Sequence, residues 1–198
     1  VIPTPVVIEG KDYFDGETDM VEDFYNILTS GKEISTYHIN ADMFTNHFTK
    51  FAEAGDEVIY ICFSTGLAGT YNSANIAKED LLETYPDFDL TIIDSKCAAL
   101  GFGLLVYYAL RMQEEGKSKE EIIEGVLYNR DHMEHVFTVE NLEYLFKGGR
   151  ISKTAKTFGG MLNICLIIEV DDDGALNAIE KVRGRHKSLS RCVDIVGE

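Results

Sequence analysis

The chain has 198 residues, of which 45% are hydrophobic and 26% charged, a balance typical of a globular protein with a sizeable core. Its formal net charge of −16 at pH 7 disfavours nucleic-acid binding, which needs a basic face, and electrostatic attachment to anionic membranes. The longest apolar run, "CAALGFGLLVYYAL", is too short to span a bilayer, and the four scattered cysteines favour buried free thiols, so we expect a cytoplasmic protein without stable membrane insertion.

The first third of the chain begins with a predicted strand, "TPVVIEG", which ends at a turn. The acidic stretch that follows, "KDYFDGETD", is interpreted as a connection to an amphipathic helix. Asn40 is placed to cap a second helix, in which Phe44, Phe48 and Phe51 recur on one face and indicate core contacts.

Two predicted strands with a helix between them follow. The strands are "DEVIYICF" and "FDLTIIDS", and the helix runs from about Thr70 to Leu82. The longest apolar run comes after the second strand and is interpreted as a buried helix. Ser118 and Glu121 have the spacing of a capping box and predict the start of the next helix. This order is typical of βαβ units on a parallel sheet.

The pattern changes after Arg130, where shorter elements follow one another. We predict a strand for "HVFTV", helices for "ENLEYLFKGGR" and "SKTAKTFGGML", and two antiparallel strands about an Asp-Gly turn for "NICLIIEVDDDGALNAIEKV". The whole sequence therefore predicts a two-lobed α/β protein. Residues 1–135 would form an N-terminal lobe with a mainly parallel sheet flanked by helices, and residues 136–198 a second, incomplete α/β lobe with the antiparallel hairpin.

The loop after the first of the two buried strands concentrates hydroxyls and glycines. Ser64 and Thr65 end the strand, Gly66 and Gly69 allow a tight turn, and Thr70 begins the next helix. A helix N-terminus flanked by hydroxyls can bind a carboxylate or a phosphate, and ligands of open α/β sheets bind at the carboxyl ends of strands. The alternative is that Thr70 simply caps its helix, and the spacing alone leaves both interpretations open.

Other candidate groups are few. Ser35 and Thr36 form a second hydroxyl pair just before a predicted helix. The chain has neither a P-loop nor a G-x-S-x-G motif. His132 and His135 are three residues apart, but with no cysteine nearby we expect no metal site.

Several segments resemble motifs of one family, in the family's order. The loop "STGLAGTYNSA" resembles the S-S-x-L-S-G-T-Y-x-S-A signature of the DegV family of bacterial fatty-acid-binding proteins. Further resemblances are carried by "VIPTPVVIEGKDYFDG", "IIDSKCAALGFGLLVYYA", "VENLEYLFKGGRIS" and "VRGRHK". They span almost the whole chain.

The resemblance implies a lipid-binding carrier subunit that is not itself an enzyme. A long-chain fatty acid would lie in a buried apolar pocket, and its carboxylate would be presented to the catalytic subunit of a fatty acid kinase. The bound fatty acid would be the ligand, with no cofactor, no metal and no catalytic residue in this chain. The implied carboxylate contacts are Thr65 and the N–H of Gly66, with Ser64 in support and Ser35 or Thr36 facing them, and Arg150 is the implied headgroup or partner contact.

The sequence also departs from the family pattern. Ala68 stands where the family has a serine, whereas Thr65 keeps a hydroxyl. The family's opening strand would precede Val1 and a His-containing motif would follow Glu198, so the sequence resembles a member trimmed at both ends. Two other hypotheses remain: an acyl- or phosphoryl-transfer enzyme with Ser64 or Thr65 as nucleophile, and an interaction module with an empty cleft.

Overall fold

The computed structural model describes residues 1–16, 21–151 and 163–197. Strands and helices alternate along these residues. The strands are β1 (Pro5–Ile8), β2 (Lys11–Phe14), β3 (Ile34–Thr36), β4 (Val58–Cys62), β5 (Leu90–Asp94), β6 (Val136–Phe137), β7 (Ile164–Val170) and β8 (Leu176–Arg183). The helices are α1 (Val21–Thr29), α2 (Ala41–Ala54), α3 (Thr70–Thr84), α4 (Ala99–Glu114), α5 (Lys119–Arg130), α6 (Glu143–Lys147) and α7 (Arg185–Gly197).

The chain divides into two compact units that interleave along the sequence. The first unit contains residues 1–56 and 72–89, and the second contains residues 57–71 and those from 90 onward. Because these units are defined by packing and not by a single cut, the predicted lobes 1–135 and 136–198 stay a prediction.

The first unit begins with a three-stranded antiparallel sheet in the order β2-β1-β3. Ile8 pairs with Lys11, so Glu9 and Gly10 form a two-residue turn, and both have a positive φ, of 49° and 79°. Positive φ at both central residues defines the type I′ turn that joins twisted strands into a hairpin. The interpretation of residues 11–14 as a connection was therefore wrong, because the turn folds them back onto β1.

Helix α2 supplies the aromatic core of the first unit. Its N-cap is Asn40, whose side-chain oxygen accepts a hydrogen bond from the Met43 N–H at 2.9 Å. Phe44 and Phe48 are buried on one helical face, and their ring centroids lie 5.4 Å apart in a stacked arrangement. The predicted cap and the core contacts of Phe44 and Phe48 are confirmed, whereas Phe51 is only half-buried.

In the second unit, β4 and β5 form a parallel pair in which Cys62 lies opposite Asp94. The carboxyl ends of the two strands therefore meet at one edge. Ile61 and Ile93 of this pair pack with Ile122 and Val126 of α5 into a buried cluster. Helix α5 begins at the predicted capping box, with Ser118 and Glu121 bonded reciprocally.

Helix α4 is less buried than its composition suggested. Leu105 is fully buried, but Leu100 is 90% exposed and Tyr107 and Leu110 are also exposed. The prediction of a buried helix was wrong because α4 is apolar on every side, whereas the core cluster touches only one of its faces. In the described ranges, no helix combines the length and hydropathy that a membrane-spanning segment needs.

The second sheet of this unit is antiparallel, in the order β6-β7-β8. Strands β7 and β8 form the predicted hairpin, with Val170 opposite Leu176. In the turn between them, the Asp171 carboxylate accepts hydrogen bonds from the N–H groups of Asp173 and Ala175, at 3.0 and 2.9 Å. The further helix predicted for "SKTAKTFGGML" lies outside the described residues.

Candidate functional site

The candidate site lies at the carboxyl edge of the β4–β5 pair, within the second unit. Loop 63–69 follows β4 and loop 95–98 follows β5. The Ser64 N–H donates to the Cys97 carbonyl at 3.3 Å, and the Ser95 N–H donates to the Cys62 carbonyl at 3.0 Å. These backbone bonds join the two loops into one structure.

Thr65 is fixed by the carboxylate of Asp94. Its hydroxyl donates to Asp94 Oδ2 at 2.6 Å, and its N–H donates to Asp94 Oδ1 at 3.1 Å. The Lys96 N–H donates to the same Oδ1 at 3.1 Å. Three hydrogen bonds therefore hold the carboxylate, and they fix the exposed Thr65 hydroxyl at the strand edge.

Asp94 was absent from the predicted site residues. The sequence signal that could have found it is the polar end of "TIIDS", because the last residues of two parallel strands in register lie side by side.

Ser64 is fully buried and faces away from solvent. Its hydroxyl donates to the Gly174 carbonyl at 2.6 Å and accepts the Gly66 N–H at 3.2 Å. Ser64 therefore ties loop 63–69 to the β7–β8 turn. The Gly66 N–H, predicted as a direct carboxylate contact, is directed at this hydroxyl.

Two glycines allow the close approach of this loop and the hairpin turn. A Cβ on Gly66 would lie 2.5 Å from the carbonyl carbon of Gly174. Gly174 has a φ of +76°, and a Cβ there would overlap the hydroxyl oxygen of Ser64. Two backbones are thus in direct contact where side chains would not fit.

Two buried thiols lie next to the site. Burial raises the pKa of Cys62 to about 12, and burial together with the charge of Asp94 raises the pKa of Cys97 to about 11 despite the opposing effect of Arg130. Both thiols therefore stay protonated near neutral pH and are poor nucleophiles. The four cysteines of the chain are free.

Arg150 contacts the same loop. Its Nε donates to the Leu67 carbonyl at 3.0 Å, and its Nη1 donates to the Gly148 carbonyl. The predicted headgroup or partner contact is thus placed beside loop 63–69. Ser35 and Thr36 are exposed in β3 of the first unit, and that they face Thr65 stays a prediction.

The two histidines considered as a ligand pair have different surroundings. His132 Nδ1 lies 2.7 Å from the Tyr128 carbonyl oxygen, whereas both ring nitrogens of His135 are buried beside the backbone of Met133 and Ala98. Within the described ranges, no group of three or more His, Cys, Asp or Glu side chains could hold a metal ion.

Comparison with known sequences gives a family for this chain. The model of a family described as "Uncharacterised protein, DegV family" matches residues 1–198. A DegV domain-containing protein of Clostridium perfringens is 43% identical over 184 residues, which are 92% of this chain and 63% of the relative. One from Caldanaerobacter subterraneus is 37% identical over 194 residues, 98% of this chain and 68% of the relative. The chain thus spans about two thirds of the length of these relatives.

Solved structures give the same fold. A fatty-acid-binding DegV family protein from Thermus thermophilus has a TM-score of 0.85 at 26% identity, over 99% of this chain and 68% of its own. A stearic-acid-binding protein from Eubacterium ventriosum has a TM-score of 0.86 at 29% identity, over 98% and 67%. The Fatty Acid Kinase B3 protein of Streptococcus pneumoniae, loaded with linoleic acid, has a TM-score of 0.85 at 25% identity, over 98% of this chain and 68% of its own. The predicted α/β class is confirmed.

Proposed function

The chain belongs to the DegV family, and on that premise we propose that it binds a long-chain fatty acid in a buried apolar pocket and presents the carboxyl group to a separate kinase subunit. In this proposal the chain is a lipid carrier, and the partner supplies catalysis. The fatty acids bound by the similar proteins from Eubacterium ventriosum and Streptococcus pneumoniae support the ligand class. The Streptococcus pneumoniae protein is named as a Fatty Acid Kinase protein, which supports a kinase as the kind of partner.

The observation that carries the proposal is the exposed hydroxyl of Thr65, held by Asp94 at the carboxyl edge of a parallel strand pair. Ligands of α/β sheets bind at this edge. We assign the direct headgroup contact to Thr65, with Gly66 beside it. Ser64 would hold the loop in place through its hydrogen bond to the β7–β8 turn. Ser35 or Thr36 would face the headgroup from the first unit.

Most of the affinity would come from the acyl chain. Each buried methylene contributes roughly 0.8 kcal/mol, so a chain of about fifteen would contribute on the order of 10 kcal/mol before the costs of ordering. The headgroup contacts would then set the orientation of the ligand. A few hydrogen bonds suffice for that purpose, even in a chain with a net charge of −16.

The transferase hypothesis is less well supported. A nucleophile must reach its substrate, and the Ser64 hydroxyl is fully buried and bonded to a carbonyl. Thr65 is exposed, but its partner is a carboxylate, a weaker base than the imidazole that activates hydroxyl nucleophiles in catalytic triads.

The test is lipid extraction from the full-length protein, purified without detergent and analysed by native mass spectrometry. We expect about one fatty acid of roughly C14–C18 per protein. Thr65→Val should lower the retained lipid, whereas Thr84→Val, at an exposed position at the end of α3, should not. A full-length protein that retains no fatty acid and takes up none when it is supplied would overturn the proposal.

The presentation step needs its own measurement. Purified protein loaded with acid should form acyl phosphate from ATP only after a catalytic kinase subunit is added. Acyl phosphate formed by the loaded protein alone would instead favour the transferase hypothesis.

A further inference from the structure

The hydrogen of the Thr65 hydroxyl is already committed. A hydroxyl has one hydrogen to donate, and the Thr65 hydroxyl donates it to Asp94 Oδ2 over a short distance of 2.6 Å. The N–H of Thr65 is committed to Oδ1 of the same carboxylate. What the exposed hydroxyl offers to a ligand is therefore its lone pairs, which accept a hydrogen bond and do not donate one.

The cations around Asp94 are engaged with other oxygen atoms. Arg130, on α5, donates to the main-chain carbonyl of Asp94 at 3.4 Å and to the Asp131 carboxylate at 2.8 Å. The ammonium group of Lys96 donates to the Asp172 carbonyl at 2.5 Å. Neither side chain donates a described hydrogen bond to the Asp94 carboxylate oxygens.

Among the described residues, the thiols of Cys62 and Cys97 also interact with the charge of Asp94, whereas the nearby Asp131 carboxylate is bonded to Arg130. Because the pKa values of the two thiols are raised to about 12 and about 11, the thiols carry no charge near neutral pH. Asp94 is thus the anion that a ligand carboxyl group meets through Thr65.

We propose that Asp94 is a positioning residue that makes the site bind a carboxyl group together with one proton, shared along the line from the ligand through Thr65 Oγ1 to Asp94. This inference rests on the proposed fatty-acid function. Two ionised carboxylates on either side of one hydroxyl repel each other, and one of them lacks a hydrogen bond. A single added proton completes the chain of hydrogen bonds, whichever carboxyl group carries it.

A proton held between the ligand and Asp94 makes the affinity depend on pH. Carboxylic acids in water are ionised at neutral pH, so the ligand brings no proton of its own to the complex. Forming the complex then takes up one proton. By linkage, the affinity falls about tenfold for each unit of rising pH, for as long as the complex keeps the shared proton.

The same geometry makes a prediction about headgroup chemistry. A primary amide donates a hydrogen to Thr65 without titrating, so its binding should not depend on pH. A sulfonate has no hydrogen and stays ionised, so the site should reject it. Decanoic acid, decanamide and decanesulfonate share one alkyl chain and isolate the headgroup.

The experiment is calorimetric titration of the full-length protein, freed of lipid, with decanoic acid below its critical micelle concentration between about pH 5.5 and 7.5. We expect the Kd to rise about tenfold per pH unit, with about one proton taken up in buffers of different ionisation enthalpy. In Asp94→Asn, the new amide donates to the Thr65 oxygen and frees the hydroxyl hydrogen for the ligand. The Kd of this variant for decanoic acid should change by less than about twofold per pH unit. Asp194→Asn, an exposed charge on α7, should behave as the wild type.

The outcomes separate this inference from the proposed function. Binding of decanoic acid by the wild type with a flat pH profile overturns the role of Asp94 and leaves the fatty-acid function standing. An Asp94→Asn profile as steep as the wild type's overturns it as well. No binding at any pH overturns the proposed function itself. If Asp94→Asn fails to fold, the wild type alone decides at pH 6. A Kd for decanesulfonate more than about a hundredfold above that for decanoic acid supports the inference. A smaller difference between the two Kd values overturns it.

Discussion

The hydroxyl of Ser64 donates to the carbonyl oxygen of Gly174 at 2.6 Å, although the two residues lie 110 positions apart in the sequence. This bond joins the hydroxyl-rich loop after β4 to the turn of the β7–β8 hairpin. The Cα of Gly174 faces the same hydroxyl so closely that a Cβ would overlap it. The loop that carries the candidate site is therefore held in place by the β7–β8 turn, which lies far along the chain.

Gly174→Ala is expected to destabilise the second unit. Alanine at a φ of +76° is strained, and its methyl group would overlap the Ser64 hydroxyl, so we expect a loss of about 2–4 kcal/mol in the free energy of unfolding. Gly184→Ala is the matched control, because its φ is +95° but nothing lies within 4 Å of its Cβ position. Urea unfolding should show a loss of only about 1 kcal/mol for the control. Equal losses would contradict the overlap as the cause.

Ser64→Ala tests the hydrogen bond from the other side. It leaves the Gly174 carbonyl without its donor in a buried position, which is expected to cost about 1–3 kcal/mol of unfolding free energy. The control is Ser190→Ala, whose exposed hydroxyl donates to the carbonyl of His186 within its own helix, at 3.2 Å. That variant should change the unfolding free energy by less than about 0.5 kcal/mol. A neutral Ser64→Ala would show that the bond does not stabilise the loop.

The features that the sequence predicted well are local ones. The caps at Asn40 and Ser118 each bond a backbone N–H three residues away, so a short window contains both partners. The position of Ser64 and Thr65 at a strand end is local in the same sense, because an apolar run stops there.

The features that were missed depend on distant or ambiguous information. Gly174 lies in an acidic turn whose sequence does not indicate which loop it will contact. The Glu9–Gly10 turn lacks the Asn-Gly or Asp-Gly signal of a two-residue hairpin, and so β2 was read as a connection. On α4, Leu100 and Leu105 are equally apolar, and only the packing distinguishes the exposed residue from the buried one.

His135 is expected to make stability depend on pH. Burial lowers the pKa of this imidazole, whose ring lies so close to Gly101 that a Cβ there would overlap it. A lowered folded-state pKa favours the neutral form, so the contribution to stability is present above the unfolded pKa of about 6.5 and is lost as the pH falls below it. The unfolding free energy of the wild type should therefore decrease between about pH 7 and pH 5.

The measurement is urea unfolding at several pH values with His135→Gln and, as control, His186→Gln at an exposed position on α7. The unfolding free energy of His135→Gln should depend less on pH than that of the wild type, whereas His186→Gln should keep the wild-type dependence. His47, whose pKa burial also lowers, contributes equally in all three proteins. A His135→Gln profile parallel to that of the wild type would show that this histidine does not contribute.

Arg150 is expected to affect ligand binding more than stability. The residue is exposed, and its Nε donates to the Leu67 carbonyl at 3.0 Å, which helps to hold the loop that carries Thr65. Losing one such hydrogen bond costs about 0.5–1.5 kcal/mol, so Arg150→Ala should weaken decanoic acid binding about three- to tenfold. Arg111→Ala removes another exposed arginine, which is paired with Glu114 on α4, and should leave the Kd unchanged. If both variants bind like the wild type, the loop keeps its binding geometry without the Arg150 contact, and the residue's expected role must be sought in the kinase partner instead.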